Sequence, residues 1–172
     1  MQETLKVLKE RRSCRNYKAE QIKEEELNLI LEAGTYAPTG MGAQSPIMIV
    51  VQDQETIQKL SRMNAAVIGK PDMDPFYGAP TVVIVMADKN RLTYICDGSL
   101  VMGNLMNAAE AIGLGSCWIH RAKEVFESEE GQELLKKWGI EGDYAGIGHC
   151  IVGYPQEVAE AKPRKNNYIY RV

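Results

Sequence analysis

Two basic segments of this sequence carry residues suited to binding an anion. Arg11-Arg12-Ser13-Cys14-Arg15 places three guanidinium groups and a hydroxyl within five residues, directly after a predicted helix. Guanidinium groups match phosphate oxygens in a bidentate way, and a Ser hydroxyl adds a short donor. Lys162-Pro163-Arg164-Lys165 lies near the C-terminus. The two segments indicate one anion site if the fold brings them together. Otherwise they are a solvated helix end and a solvated charge run.

Two glycine-containing segments could lie against a flat ligand. In residues 37–46, glycines allow close approach of the backbone, and Thr39 and Gln44 can hydrogen-bond a ligand edge. In residues 113–119, Gly-Leu-Gly-Ser runs from a helix into a strand. The dinucleotide fingerprint runs from strand to helix and has a third glycine, so this segment is not one. Each segment is also compatible with an ordinary connection between elements.

Simpler chemistries are not indicated. The sequence contains no GxxxxGK[ST], HExxH or GxSxG motif. His120 and His149 are isolated, and Cys117 sits in an apolar strand pattern, so all three are interpreted as structural. Asp97 is interpreted as a helix N-cap. No catalytic side chain and no metal site are therefore predicted, and a cofactor is expected to carry the chemistry.

The composition is that of one globular domain spanning 1–172. Lys plus Arg is 20 and Asp plus Glu is 23, so the net charge of −3 argues against nucleic-acid binding. The longest apolar run, Val82–Ala87, is too short to span a membrane. The four cysteines form no CxxC pair, and residues 1–12 contain no apolar signal core. Free thiols and a cytoplasmic location are expected.

Hydrophobic periodicity predicts alternating helices and strands in one layered α/β domain. Their order does not decide between parallel and mixed strand pairing. The helix after residue 96 is apolar, and so is the tail at residues 168–170. This pattern favours either a well-filled core or an obligate dimer. The predicted helices are Thr4–Arg12, Lys23–Tyr36, Gln54–Ile68, Asp97–Ile112 and one from the N-cap Ser128 through Trp138; the predicted strands are Ile47–Gln52, Thr81–Ala87, Ser116–Ile119 and Ala145–Val152.

Taken in this order, the segments resemble the nitroreductase family of FMN-dependent oxidoreductases, in its compact NAD(P)H-using branch. The resemblance covers nearly the whole chain and includes Tyr77-Gly78-Ala79-Pro80, Asp97-Gly98-Ser99 and Gly153-Tyr154-Pro155. It implies an α+β fold with a mixed central sheet between helices. It also implies an intertwined homodimer in which a C-terminal arm, residues 153–172, packs on the partner subunit.

The resemblance further implies a cofactor site. The FMN phosphate and ribityl chain are expected at Arg11, Arg12, Ser13 and Arg15, with Lys162 and Arg164 joining the phosphate. A loop from the other subunit, represented by Pro38, Thr39, Gly40 and Gln44, is expected to lie against the flavin. The isoalloxazine ring is expected along Leu114, Gly115 and Ser116, with Asn64 as a further contact. At Gly42 the family usually has Asn, and no aromatic residue follows Gln44, so a differently shaped substrate side is expected.

The implied activity is transfer of hydride from NADH or NADPH to flavin N5. The hydride then passes to a small-molecule acceptor, such as a nitroaromatic or a quinone, in ping-pong order. Relatives of this fold also dehalogenate aromatics, oxidise azoline rings or fragment flavin, so these reactions stay open as alternatives. Another alternative is a flavin-binding redox sensor or interaction protein with little turnover, acting through Cys14 or Cys117.

Overall fold

The computed structural model describes residues 3–157 and 159–172, and its centre is a four-stranded sheet. The strand order is β1-β2-β4-β3, so β1 and β3 are the edges. Ile84 in β2 lies opposite Ile49 in β1 and His149 in β4. The strands are β1 (Pro46–Val51), β2 (Thr81–Asp88), β3 (Gly115–Ile119) and β4 (Tyr144–Gly153).

The strand pairs of the described sheet are all antiparallel, whereas the resemblance implies a mixed sheet. Parallel pairing within the described residues is confined to an isolated bridge between Ser13 and Ser116. The sheet is nevertheless covered on both faces. Along β2, Val82, Ile84 and Met86 point into one core, and the alternate residues point into the other. Because successive strand residues face opposite sides, two cores require the continuous apolar run of β2, as predicted.

The described chain has six α-helices, five of which, α2 to α6, contribute buried residues to the two cores. One core contains α2 and α4 residues such as Ile30 and Leu105, and the other contains α3, α5 and α6 residues such as Leu60, Phe126 and Leu134. The helices are α1 (Glu3–Glu10), α2 (Glu24–Thr35), α3 (Gln54–Ile68), α4 (Tyr94–Ala111), α5 (Ala122–Glu127) and α6 (Glu129–Lys137). None of them is long and apolar enough to cross a membrane.

The helix boundaries confirm part of the sequence prediction and correct the rest. The bounds of α3 are those predicted, and Ser128 caps α6 by accepting a hydrogen bond from the Gly131 amide (3.1 Å). The six-residue α5 was not predicted because it is too short to show a periodic stripe. The N-cap interpretation of Asp97 is wrong. Helix α4 begins at Tyr94, which places Asp97 inside its first turn.

The chain after β4 runs along the surface. It forms no helix or longer strand in residues 159–172, and Tyr168, Ile169 and Tyr170 are 70–79% exposed. Ile95 and Leu100 on α4 are also exposed. Large apolar side chains in water are normally covered by another surface. Packing of the arm on a partner subunit stays a prediction.

Candidate cofactor site

The arginine-rich segment lies directly beside β3. Ser13 and Ser116 form the parallel bridge, and the Cys14 amide donates a 2.9 Å hydrogen bond to the Ser116 carbonyl. The absent side chain of Gly115 permits this approach. A Cβ at that position would lie 2.7 Å from Cys14 Sγ, which is closer than such atoms come in proteins. The fold therefore brings the first basic segment and the second glycine-containing segment together.

A cavity of about 130 Å³ opens where these segments meet. It contains four of the predicted cofactor-binding residues, which are Arg12, Ser13, Leu114 and Gly115. The sequence did not assign the remaining lining residues to the site, although Pro155 belongs to a segment that carried the family resemblance. Those remaining residues are Cys14, Glu110, Gly113, Pro155, Glu157 and Ala159.

Buried polar atoms in the two segments that form this cavity lack partners. Arg11 Nη1, Arg12 Nε and Ser116 Oγ are buried and form no hydrogen bond within the described chain. The Arg12 guanidinium is held in place because its Nη1 donates to the carbonyls of Lys9 (2.8 Å) and Arg11 (2.7 Å). Buried polar groups in proteins are normally paired. The two unpaired guanidinium nitrogens therefore fit a phosphate, whose oxygens accept hydrogen bonds, and the Ser116 hydroxyl is free to bond a polar ring edge.

Arg15 lies near the Tyr77 ring and not at the cavity. Its guanidinium carbon lies 6.0 Å from the ring centroid of Tyr77, which precedes β2 and has a backbone φ of 53°. Arg15 is exposed and does not line the 130 Å³ cavity. Lys162 and Arg164 are exposed in the tail and do not line it either, although Ala159 just before them does. The tail thus leaves the body of the protein at this cavity.

The other predicted contact loop forms a second, separate cavity. Thr39 and Gln44 line a space of about 150 Å³ that shares no lining residue with the first. Pro38 and Gly40 belong to the same loop, which contains a short 3₁₀ turn, Gly40–Gly42. Met41, Gly42 and Gln44 have φ values of 54°, 64° and 49°. Glycine adopts this left-handed region without steric cost and Asn tolerates it better than most residues, so the φ at Gly42 is compatible with either residue.

Asn64 has a structural role instead of lining either cavity. Its side chain is fully buried in α3. Its Nδ2 donates to the His120 carbonyl (2.8 Å), and its Oδ1 accepts from Arg121 Nε (3.1 Å). Arg121 begins α5 with a φ of 73°. These bonds make Asn64 an anchor for the chain after β3, and its contact with the flavin stays a prediction.

His149, Cys117 and Cys150 are buried in the two cores and line neither cavity. His149 is fully buried against Phe76 and Phe126, with ring centroids 5.1 and 6.0 Å away. Burial lowers the His149 pKa to about 3, so the imidazole is neutral. Cys117 is buried, as predicted, and burial raises the pKa of the Cys150 thiol to about 12. Within residues 3–157 and 159–172, no group of His, Cys, Asp and Glu side chains could hold a metal ion.

The fold and the cavity define a class of protein, a two-core α+β domain with an arginine-lined cavity beside an edge strand. Residues 8–154 match the Nitroreductase family. The structure superposes with a TM-score of 0.91 on a nitroreductase with bound FMN from Bacteroides fragilis, at 28% identity and covering 100% of both chains. A nitroreductase with bound FMN from Desulfitobacterium hafniense gives a TM-score of 0.90, at 27% identity, covering 100% of this chain and 99% of that one.

A sequence relative from Archaeoglobus fulgidus also supports membership of this family. It is named as an NADH dehydrogenase/NAD(P)H nitroreductase and is 32% identical over 163 residues, covering 91% of this chain and 88% of that protein. The match to the family extends over most of the sequence, and the neighbouring structures have the same fold. The chain therefore belongs to the nitroreductase family.

Proposed function

We propose that this protein is an FMN-dependent NAD(P)H oxidoreductase that reduces an electron-poor small molecule. The observation that carries the proposal is the buried, unpartnered Arg12 Nε at a cavity that Gly115 also lines, together with the unpartnered Ser116 Oγ in the next residue of β3. FMN is the cofactor bound by the two nitroreductases of the same fold. The residues present fit its phosphate and leave room for its ring edge.

The chain's own residues hold the cofactor. An FMN phosphate carries nearly two negative charges, which Arg11 and Arg12 offset, while Ser13 donates from its hydroxyl. Lys162 and Arg164 join the phosphate from the tail, and Arg15 contributes positive charge from the arginine-rich segment. Leu114, Gly115 and Ser116 lie along the ring, where a glycine backbone allows close contact. Bound there, FMN supplies the hydride chemistry, taking a hydride from NADH or NADPH and passing one to the acceptor.

A second copy of the chain completes the site. The loop of Pro38, Thr39, Gly40 and Gln44 forms a cavity separate from the arginines of its own chain, so we propose that it lies against the cofactor bound by the partner subunit. The exposed Ile95, Leu100 and the arm at residues 168–170 provide apolar surface for this homodimer. The dimer is obligatory in this arrangement, since each ring needs groups from both chains.

The acceptor we propose is a nitroaromatic or a quinone, bound after the nicotinamide leaves the same cleft. This order makes the kinetics ping-pong. No side chain is required as nucleophile or base, because the protein's part is to orient the reactants and exclude water.

Gly42 leaves the loop tip open, since no atom of the described chain beyond its two neighbours lies within 4 Å of the position of a Cβ there. Burial of Cys14 and Cys117 favours turnover over thiol-based sensing.

The experiment that tests this function is the visible absorbance spectrum of the purified protein, followed by heat release of the chromophore. Flavin bands at roughly 370 and 450 nm and about one FMN per chain are expected. Oxidation of NADH and NADPH is then followed with a quinone and with a nitroaromatic as acceptor. A colourless protein that takes up no added FMN contradicts the proposal. A flavoprotein that oxidises neither nicotinamide supports binding without turnover.

A further inference from the structure

The loop expected to face the flavin is tied to α4 by one buried carboxylate. Asp97 is 3% exposed, and its Oδ1 accepts a 2.9 Å hydrogen bond from the Gly40 amide. Its Oδ2 accepts a 2.9 Å hydrogen bond from the Thr93 hydroxyl. The described salt bridges do not include Asp97, so these two donors and the N-terminal end of α4 compensate its charge.

Close packing also fixes the loop against the start of α4. A Cβ on Gly40 would lie 2.3 Å from the Thr93 hydroxyl oxygen, so only glycine lets the loop reach this depth. Farther along the loop, the Gln44 amide donates to the Thr39 hydroxyl (3.0 Å). Between these contacts the backbone is held in left-handed conformations at Met41 and Gln44. Such conformations persist where the surroundings over-determine them.

We infer that Asp97 is a positioning residue, which sets the place of the loop 38–44 and through it the shape of the acceptor side of the cleft. The inference rests on the proposed function, because it assumes that this loop faces a flavin. Asp97 does not reach the reacting atoms. It acts through the Gly40 amide, and a shift of the loop is felt at Gln44 and Gly42. The binding of the acceptor therefore depends on a carboxylate in the first turn of a helix.

The test compares Asp97→Ala with Asp97→Asn in the full-length protein. The amide of Asn can accept from Gly40 and donate to the Thr93 oxygen, so this variant keeps both contacts without the charge. Asp97→Ala removes both. Thr93→Val is a milder variant that leaves the Gly40 contact intact and guards against a general loss of folding in Asp97→Ala.

The first readout is hydrogen exchange of the Gly40 amide in the protein freed of FMN. Exchange is expected to be roughly tenfold to a hundredfold faster in Asp97→Ala and close to wild type in Asp97→Asn. The second is steady-state kinetics of the FMN-loaded enzyme. KM for the acceptor is expected to rise about tenfold in Asp97→Ala, with FMN content unchanged, and to recover in Asp97→Asn.

Two results would overturn the inference. One is Gly40 exchange and acceptor KM in Asp97→Ala equal to those of the wild type. The other is a fall in thermal stability in Asp97→Ala and Thr93→Val with no change in KM for the folded enzyme, which assigns Asp97 a purely structural role. Failure of the proposed function looks different, since the wild-type protein would then bind no FMN, whatever the Gly40 exchange shows.

Discussion

The Cys14 amide and the Ser116 carbonyl are 2.9 Å apart, and their hydrogen bond joins the arginine-rich segment to the free edge of β3. Edge strands carry unpaired backbone groups that invite another chain to pair with them. Here the segment after α1 partly covers that edge and places Ser13 beside the unpartnered Ser116 hydroxyl. One short backbone contact therefore protects the sheet edge and brings the arginine-rich segment to the cavity beside β3.

Replacing Arg12 by Ala is expected to weaken FMN binding about tenfold to a hundredfold, because a charge-assisted hydrogen bond to the phosphate is lost. The measurement is the dissociation constant from flavin fluorescence on titrating the apo-protein. Arg62→Ala is the matched control, since that arginine is exposed on α3 and lies outside the cavity. Full FMN occupancy in a folded Arg12→Ala protein would contradict the phosphate assignment.

Replacing Gly115 by Ala is expected to separate residues 13–14 from β3. The new Cβ would sit 2.7 Å from Cys14 Sγ and 2.8 Å from Cys14 Cβ. Overpacking of this kind costs about 1–3 kcal/mol, and FMN affinity should fall with it. Denaturant unfolding and flavin titration check both effects. Gly103→Ala is the control, since its Cβ meets no described atom within 4 Å. Equal stability of Gly115→Ala and the wild type would refute the close contact.

Replacing Asn64 by Ala is expected to lower the free energy of unfolding by about 1–3 kcal/mol, since the His120 carbonyl and Arg121 Nε lose their buried partner. The flavin spectrum of the loaded protein should not change. Chemical denaturation and absorbance provide the two measurements, with Gln58→Ala on the exposed face of α3 as control. A shifted flavin band at unchanged stability would restore Asn64 as a cofactor contact.

Acid should destabilise the protein through His149. Burial lowers its folded-state pKa to about 3 from the ordinary 6.5, so the unfolded chain binds the proton more readily. Stability is therefore complete above the unfolded pKa and falls as pH drops, by up to about 1.4 kcal/mol per pH unit. Unfolding between pH 7 and 5 measures this slope above the range in which carboxylates titrate. His149→Gln should flatten it, whereas Gln58→Ala on the exposed face of α3 should leave it unchanged.

Deleting the last five residues, Tyr168–Val172, is expected to weaken the proposed dimer. Their apolar side chains are exposed on the isolated chain, and covering them would stabilise association by about 25 cal/mol per Å² of apolar surface. Sedimentation velocity should give twice the 19.2 kDa chain mass for the full protein. The truncated form should dissociate at higher concentrations. Val67→Ala is the control, because Val67 is an exposed apolar residue on α3. An unchanged dimer in the truncated protein would remove the arm from the interface.

Local sequence signals predicted the elements whose stability is local. The bounds of α3 follow from the Asp53 N-cap, whose side chain accepts from the Thr56 amide, and from Gly69, which ends the helix with a φ of 72°. The start of α6 is local in the same way, since the Ser128 side chain accepts a hydrogen bond from the Gly131 amide three residues later. In contrast, the start of α4 at Tyr94 goes with two contacts of Asp97, which accepts from the Thr93 hydroxyl and from the Gly40 amide, 57 residues distant along the chain. No local pattern encodes such a contact.

The sequence by itself determined that this chain has an arginine cluster, glycine-containing segments and apolar strands in the order typical of one family, because these depend on residue type and spacing. Only the tertiary structure decided which of them meet. Ser13 and Ser116 lie over a hundred residues apart and are paired by the edge of the sheet. Asn64 accepts a hydrogen bond from Arg121, because a buried amide needs partners and the fold places Arg121 next to it. These residues lie close together because distant segments pack on one another, and the order of residues along the chain does not specify that packing.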